Sequence, residues 1–264
     1  MQNWHIIWTN VFYLALFLTL PPIHFHRVNG LTWPLDVKQV LTWVVTALPF
    51  VLFWVVQFPL LDTKESIFWA ILFMIIYLIG VILFVIATLT VHYLPPPLDY
   101  DHSRYCKYCQ KRVPSEAKHC RLCNTCRLDF DHHCQFINNC VTLQNYNQFF
   151  YGLMSLVFSS IINIIHISIC LVKYLDSHKE IMLQNLSQHI RKNITDKTAK
   201  VLISLVYLAN SVLAIPLIVL IIYHIYFQER NISTYEYLSK TIPASKQKLQ
   251  AFCCKSHKYQ IKSI

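Results

Sequence analysis

Four long apolar segments without a single Lys, Arg, Asp or Glu constrain this chain more than any other feature. They run approximately over Val40–Leu61, Ile67–Tyr93, Phe149–Val172 and Val201–Phe227. Each can cross the ~30 Å apolar core of a bilayer as a helix, which needs roughly 20 residues. The sequence therefore predicts an all-α membrane protein with a bundle of four transmembrane helices.

A fifth apolar segment, Trp4–Leu20, is shorter and ends at Pro21-Pro22. It lacks the basic start and the small-residue cleavage site of a signal peptide, so it fits either a fifth span or a helix in the membrane interface. The chain is 55% hydrophobic and 14% charged, whereas soluble domains average ~25% charged residues. This composition excludes disorder and disfavours a soluble enzyme.

The apolar segments divide the chain into four regions. These are an N-terminal membrane region of two or three spans (1–94), a cysteine-rich region (95–148), two further spans (149–227) and a basic tail (228–264). The cysteine-rich region and the tail each carry seven Lys and Arg residues, and both are predicted to face the cytosol. The loop between the last two spans also carries Lys and Arg, so the charge rule alone does not decide the orientation. The loop near residues 173–200, which carries glycosylation sequons at Asn185 and Asn193, would then face the lumen.

Seven of the ten cysteines lie between Cys106 and Cys140. Three pairs have the C-x2-C spacing that lets two thiolates bind one metal ion: Cys106/Cys109, Cys120/Cys123 and Cys123/Cys126. A secreted disulfide scaffold would be a short soluble chain, so metal binding in a reducing compartment fits better. No internal repeat at a fixed period is evident.

The cysteine-rich region has more metal donors than two zinc sites need. Seven cysteines with His119, His132 and His133 give ten donors, and two tetrahedral Cys3His sites use eight. In an extended segment His132 and His133 point to opposite faces, so one can face a metal while the other shares a face with Cys134. A thiol, an imidazole and a carboxylate form an activated nucleophile. We therefore expect Cys134 as nucleophile, His132 as base and Asp131 as its orienting residue.

These residues make the region similar to the cysteine-rich domain of the DHHC family of protein S-acyltransferases (palmitoyltransferases). The spacing C-x2-C-x9-H-C-x2-C-x2-C-x4-D-H-H-C-x5-C is complete from Cys106 to Cys140, and Ser233-Thr-Tyr-Glu236 resembles the family's Thr-Thr-x-Glu motif. The resemblance implies two structural zinc sites. Their ligands would be Cys106, Cys109, His119 and Cys126 in the first, and Cys120, Cys123, His133 and Cys140 in the second.

The same resemblance implies supporting roles for three further residues. Thr234 would pack near Asp131, Glu236 belongs to the same motif, and Asn145 would help to position the membrane helices. Gln135, Phe136 and Thr142 depart from the Pro, Trp and Gly that are usual in the family.

The resemblance implies a ping-pong reaction. A long-chain acyl group, palmitoyl above all, would move from acyl-CoA to Cys134 and then to cysteines of cytosolic or membrane-associated protein substrates. The chain would be a multi-pass protein of an endomembrane bilayer, in the ER or Golgi, with two structural Zn2+ ions. The alternative is a non-catalytic membrane adaptor that uses the zinc region as a binding surface. Nucleic acid is not an expected partner, because the region has only a small positive excess and no C2H2 helix pattern.

Three other features have plainer interpretations beside functional ones. His166 and His224 lie in apolar segments, where a neutral hydrogen-bonded core histidine is favoured over a functional group. Ser233 and Glu236 also fit an ordinary helix capping box. Cys253-Cys254 in the basic tail are either acyl acceptors or free thiols.

Overall fold

The computed structural model describes residues 26–241 apart from 98, 100 and 177. Four helices are long and apolar enough to cross a membrane: α1 (Val37–Leu60), α2 (Thr63–Leu89), α3 (Tyr146–Leu175) and α5 (Asp196–Glu229). They coincide with the four predicted segments and confirm the fold class. Trp4–Leu20 and Cys253-Cys254 lie outside the described residues, so the choice between four and five spans stays a prediction.

Helix α1 changes its winding near its end. Asp36 caps its start by accepting a hydrogen bond from the backbone N–H of Lys38 at 2.8 Å. Pro49 lies inside the helix, which continues as a π-helical turn at Phe53–Gln57 and a 3-10 turn at Phe58–Leu60. A proline and a wider turn are common causes of such irregularity. Here the π-helical turn buries the Gln57 side chain inside the bundle.

Helices α2 and α3 pack closely because small residues lie between them. A Cβ added at Gly80 would meet the Leu156 backbone nitrogen at 3.1 Å, and one at Gly152 would meet that of Phe84 at 3.3 Å. Small residues at such crossings let two helix backbones approach in lipid, where burial of apolar surface gives no driving force. Outward side chains such as Ile82 on α2 and Ile215 on α5 stay more than half exposed, as lipid-facing residues would.

Helix α2 ends at Leu89, four residues before the predicted boundary at Tyr93. The prediction was wrong there because the side chain of Asn139 donates to the carbonyls of Ala87, Thr88 and Thr90 at 2.9–3.2 Å. Side-chain donors to the last carbonyls satisfy groups that a helix end leaves open.

The bundle separates its two polar ends. The predicted loop near residues 173–200 contains a short helix, α4 (Lys179–Ile190), which packs beside the end of α1. The cysteine-rich region lies at the opposite end, together with the last described helix, α6 (Thr234–Thr241). The cysteine-rich region and the start of the tail therefore share one end of the bundle.

The cysteine-rich region consists of three antiparallel β-hairpins. Their strands are β1 (Ser103–Cys106), β2 (Lys111–Pro114), β3 (Lys118–Cys120), β4 (Thr125–Arg127), β5 (Phe130–Cys134) and β6 (Asn139–Thr142). Short isolated hairpins are marginally stable in water. Their stability must come from what holds them to one another and to the helices.

Candidate functional site

The three hairpins repeat one loop geometry every 14 residues. In each, a cysteine pairs with the residue five positions later: Cys106 with Lys111, Cys120 with Thr125 and Cys134 with Asn139. The residue just before that partner has a positive φ in all three loops: Gln110, Asn124 and Asn138. The sequence interpretation that no fixed period exists was therefore wrong. Only a few positions are the same in each 14-residue unit, so a search for internal sequence similarity does not detect the repeat.

The loop of the first hairpin and the strands of the second form one metal cluster. Its members are Cys106, Cys109, His119 and Cys126. The Nδ1 atom of His119 lies 3.7, 3.3 and 3.8 Å from the sulfurs of Cys106, Cys109 and Cys126. A zinc tetrahedron with Zn–S near 2.3 Å and Zn–N near 2.0 Å has edges of about 3.5–3.8 Å. The four side chains fit such an ion.

The loop of the second hairpin and the strands of the third form the second cluster in the same way. Its members are Cys120, Cys123, His133 and Cys140. The Nδ1 atom of His133 lies 3.6, 3.3 and 3.9 Å from the sulfurs of Cys120, Cys123 and Cys140. The sulfurs of Cys123 and Cys140 are 3.4 Å apart. This cluster could also hold a metal ion with tetrahedral geometry.

The loop of the third hairpin, residues 135–138, breaks the pattern. Cys134 takes the position of the first cysteine in each metal-binding loop, but Ile137 stands where the second cysteine would be. Ile137 is fully buried, and Cys134 is only 5% exposed. Both belong to an apolar cluster with residues of the spans, including Phe149 of α3 and Ile221 of α5. The thiol left over by the two metal clusters thus faces the membrane bundle.

His132 and Asp131 lie beside this thiol on strand β5. His132 pairs across the hairpin with Val141, and its Nδ1 atom lies 2.7 Å from Asp131 Oδ2. Burial lowers the pKa of His132, but the hydrogen bonds and charges of Asp131 and Cys134 outweigh it and raise that pKa to about 9. Burial raises the pKa of Asp131, while hydrogen bonds from His132 and Thr234 dominate and lower it. The arrangement matches the predicted order of thiol, imidazole and carboxylate.

Helix α6 holds Asp131 from the other side. Thr234 donates its backbone N–H to Asp131 Oδ1 at 2.7 Å and its hydroxyl to Asp131 Oδ2 at 2.8 Å. The helix begins with the capping box that the sequence allowed, in which Ser233 and Glu236 bond each other's backbone N–H at 3.0–3.1 Å. The two interpretations of this motif are compatible, because the cap fixes the turn from which Thr234 reaches Asp131.

Asparagine side chains attach the third hairpin to the membrane helices. Asn145 donates to the carbonyls of Ala87 and Cys140 at 3.1 Å and accepts from the N–H of Thr142. Together with Asn139 it joins the end of α2, strand β6 and the start of α3. These bonds place Asn145 between the membrane helices and the third hairpin, and its positioning role stays a prediction.

A loop before α1 supports the same hairpin. The N–H of Gly30 donates to the Thr88 carbonyl at 2.7 Å, and its own carbonyl accepts from Gln39 and Asn138. A Cβ at Gly30 would overlap the carbonyl oxygen of Ile137. Sequence analysis missed this support. The available signal was the glycine before α1 together with the side-chain amides of Gln39 and Asn138, which bind its carbonyl.

The two buried histidines have different surroundings. His166 accepts or donates one bond to Gln57 at 3.1 Å deep in the bundle, as the core interpretation predicted. His224 lies against the ring of His132, with 5.5 Å between centroids, and its Nδ1 atom is 2.9 Å from the Tyr146 hydroxyl. Sequence analysis did not connect His224 to the site, because the contact joins residues 92 positions apart.

The fold and the site define a membrane protein with four candidate spans, two cysteine–histidine clusters that could hold metal ions, and a separate Cys-His-Asp group. A model of the DHHC palmitoyltransferase family matches residues 99–241, more than half of the chain. The chain belongs to this family, and the recognition made from the sequence is confirmed.

Individual relatives match over shorter stretches. Palmitoyltransferase ZDHHC15A of Danio rerio is 30% identical over 136 residues, which are 52% of this chain and 37% of that protein. Palmitoyltransferase ZDHHC8 of Drosophila melanogaster is 35% identical over 133 residues, 50% of this chain and 12% of the relative. Palmitoyltransferase swf1 of Schizosaccharomyces pombe is 45% identical over 73 residues, 26% and 20% respectively. The matches thus cover about a third or less of these relatives' own lengths.

Proposed function

We propose that this chain is a protein S-acyltransferase. It moves a long-chain acyl group, palmitoyl above all, from acyl-CoA to cysteine thiols of substrate proteins through an acyl-Cys134 intermediate. The observation that carries the proposal is the position of Cys134: in reach of His132, outside both metal clusters and in one apolar cluster with the membrane spans.

In the first half-reaction the Cys134 thiolate attacks the thioester carbonyl of acyl-CoA. A carbon–sulfur bond forms to Cys134, the bond to the CoA sulfur breaks, and His132 gives its proton to the leaving thiolate. The raised pKa of His132 keeps its imidazole protonated at neutral pH, so a proton is available for the leaving thiolate. Asp131, fixed by Thr234, keeps the imidazole oriented.

In the second half-reaction His132 takes the proton from the acceptor cysteine. That thiolate attacks the acyl-Cys134 carbonyl, a thioester forms on the substrate protein, and the Cys134 thiolate is restored. Cys134 shares a buried apolar cluster with Phe149 and Leu153 of α3, which supports an acyl chain that leaves the thiol towards the membrane helices. The charged CoA group stays on the water side of the site. The acceptor cysteine reaches the acyl thioester from the same side.

The two clusters are proposed to bind one structural zinc ion each. All eight ligands come from the hairpins, and each cluster joins two hairpins, so the ions replace the apolar core that so small a region lacks. A closed site with four protein ligands leaves no open position for chemistry. Bound zinc would therefore have a structural role. It would hold strand β5, which carries His132 and Cys134 beside the ligand His133.

We propose that residues 95–148 and the tail from residue 228 face the cytosol of an endomembrane compartment, the ER or Golgi. Reduced cysteines and the local Lys and Arg residues support this orientation. The region with α4, near residues 173–200, would then be lumenal, and residues 1–94 and 149–227 would form the membrane regions. Acceptors would be cytosolic or membrane-associated proteins.

Formation of the acyl-enzyme tests the proposal. The full chain, purified in detergent with zinc, is mixed with palmitoyl-CoA that carries a clickable tail, and the label is treated with neutral hydroxylamine. We expect a hydroxylamine-labile label that is absent in Cys134→Ala and Cys134→Ser and slowed ~100-fold or more in His132→Ala, the usual loss when a general base is removed.

The competing adaptor function gives a different result. Label at Cys253 or Cys254, with none at Cys134 in a zinc-loaded chain, would leave the adaptor and exclude the enzyme. Zinc content, measured on each variant, separates a lost nucleophile from a lost fold.

A further inference from the structure

A buried histidine of the fourth span lies directly behind the His132 ring. His224 is 1% exposed and sits near the end of α5, ten residues before Thr234. The rings of His224 and His132 are 5.5 Å apart and inclined by 43°. Ring nitrogens of both histidines and a carboxylate oxygen of Asp131 lie within 4.8 Å of one another. His224 is therefore an immediate neighbour of the pair Asp131–His132.

A hydrogen bond holds His224 in this place. The Tyr146 hydroxyl lies 2.9 Å from His224 Nδ1. A tyrosine hydroxyl can donate its proton to an unprotonated ring nitrogen. The bond joins the last part of α5 to the first residue of α3 beside the site.

Aromatic packing completes the enclosure of His132. Phe149 meets the rings of His132 and His224 edge-on, with centroids 5.6 and 5.4 Å away. Phe227 contacts the far side of His224 at 6.2 Å. His132 is thus fixed by Asp131 at one ring nitrogen and by Phe149 and His224 along its ring. If His224 moved, a space would open into which the His132 ring could rotate.

We propose that His224 is a positioning residue of the acyl-transfer site which, tied to Tyr146, holds the ring of His132 in place. The inference rests on the proposed function. It explains why a polar, ionisable side chain is kept inside an apolar span, where such residues are costly. A phenylalanine of similar size could fill the space, but it could not be anchored by Tyr146.

The test uses three variants of the full chain. His224→Phe keeps the ring but loses the bond to Tyr146, Tyr146→Phe removes the same bond from the other side, and His224→Asn keeps an acceptor close to the Nδ1 position. His166→Phe is the matched control, because it removes a buried histidine that lies 20 residues along α3 from Tyr146, about 30 Å away.

Two rates are measured on zinc-loaded protein. The first is acyl-Cys134 formation over a range of palmitoyl-CoA concentrations, and the second is alkylation of Cys134 by iodoacetamide, which needs no acyl transfer. We expect His224→Phe and Tyr146→Phe to lower kcat about tenfold with KM changed less than twofold, a modest part of what a general base contributes. Alkylation should slow in parallel. His224→Asn keeps the bond to Tyr146 but leaves part of the ring's space empty, so it should recover only part of both rates. The double variant His224→Phe/Tyr146→Phe should be no slower than either single change.

Three results would overturn the inference: wild-type rates in both His224→Phe and Tyr146→Phe, equal losses in His224→Asn and His224→Phe, or an equal loss in His166→Phe. If His224→Phe does not fold, Tyr146→Phe and His224→Asn decide the question. If the wild-type chain takes up no acyl group, the proposed function fails by itself, and alkylation still reports whether His224 positions His132.

Discussion

The three hairpin loops share one register and a residue with positive φ at the same position, but the first two and the third have different surroundings. In the first two loops, the second cysteine, Cys109 or Cys123, belongs to a metal cluster. In the third, Ile137 takes that position, and the loop packs against membrane helices instead. The third loop thus lacks the second cysteine that each metal-binding loop supplies.

The difference teaches how one cysteine can lie among candidate metal ligands and stay outside both clusters. Each cluster takes two cysteines from one loop and a histidine and a cysteine from the strands of the next hairpin. The third loop has no fourth hairpin to follow it in the described chain, so Cys134 has neither set of partners. What replaces zinc there is the anchoring of the loop by Gly30, Asn138 and Asn139.

Cys123→Ser should give the largest effect. Structural zinc in small domains supplies roughly 10–16 kcal/mol of folding free energy, and a serine hydroxyl is a poor replacement for a thiolate. We expect bound zinc to fall from two ions to one per chain and acylation to vanish, as measured by metal analysis and labelling.

Cys134→Ser is the matched change in the third loop. It should abolish acylation while both zinc ions and the thermal unfolding midpoint stay as in the wild type. Loss of zinc in this variant would place Cys134 among the ligands and remove the distinction between the loops.

Gly30→Ala should damage the third loop alone. The new Cβ would overlap the Ile137 carbonyl and also meet Thr88, and backbone atoms cannot move aside cheaply, so a cost of about 2–3 kcal/mol is expected. Acyl-enzyme formation should fall by tenfold or more with both zinc ions retained.

Gly80→Ala is the comparison inside the membrane. Its added Cβ would lie 3.1 Å from Leu156, which is a tight contact but not an overlap. It should affect thermal stability without selectively slowing acylation. Equal activity in Gly30→Ala and the wild type would mean that the loop does not depend on this support.

Ile137→Cys should turn the third loop towards the first two. It creates a C-x2-C pair with Cys134 on a backbone already shaped for metal binding. We expect micromolar zinc to protect Cys134 from alkylation and to inhibit acylation several-fold. Ile137→Ser removes the same volume without adding a thiol; if zinc inhibits both variants alike, the inhibition does not come from the new pair.

Thr234→Val should weaken the hold of helix α6 on Asp131. It removes the hydroxyl bond to Asp131 Oδ2 but leaves the backbone bond to Oδ1. A lost hydrogen bond to a charged group costs about 1.5 kcal/mol or somewhat more, so kcat should fall about tenfold with unchanged zinc content. Ser239→Ala, on the same helix and bonded to the Glu236 carbonyl, should keep the wild-type rate.

The four spans could be predicted from the sequence because twenty uncharged apolar residues suffice to predict a membrane helix. C-x2-C spacing indicated metal binding, but it also paired Cys123 with Cys126, which lie in different clusters. The division into two ligand sets came from the resemblance to the family, and the donor count showed only that one cysteine and one histidine are left over. The early end of α2 could not be predicted, because it depends on Asn139, which is fifty residues further along the chain.

The sequence by itself determined the class of protein, the number of candidate spans in the described chain and the residues able to bind metal. The tertiary structure alone decided which loop faces the membrane, that Gly30 supports it, and that His224 lies behind His132. The physical reason is the range of the interactions. Hydropathy and ligand spacing act within a few residues, whereas these contacts form only when distant segments pack together.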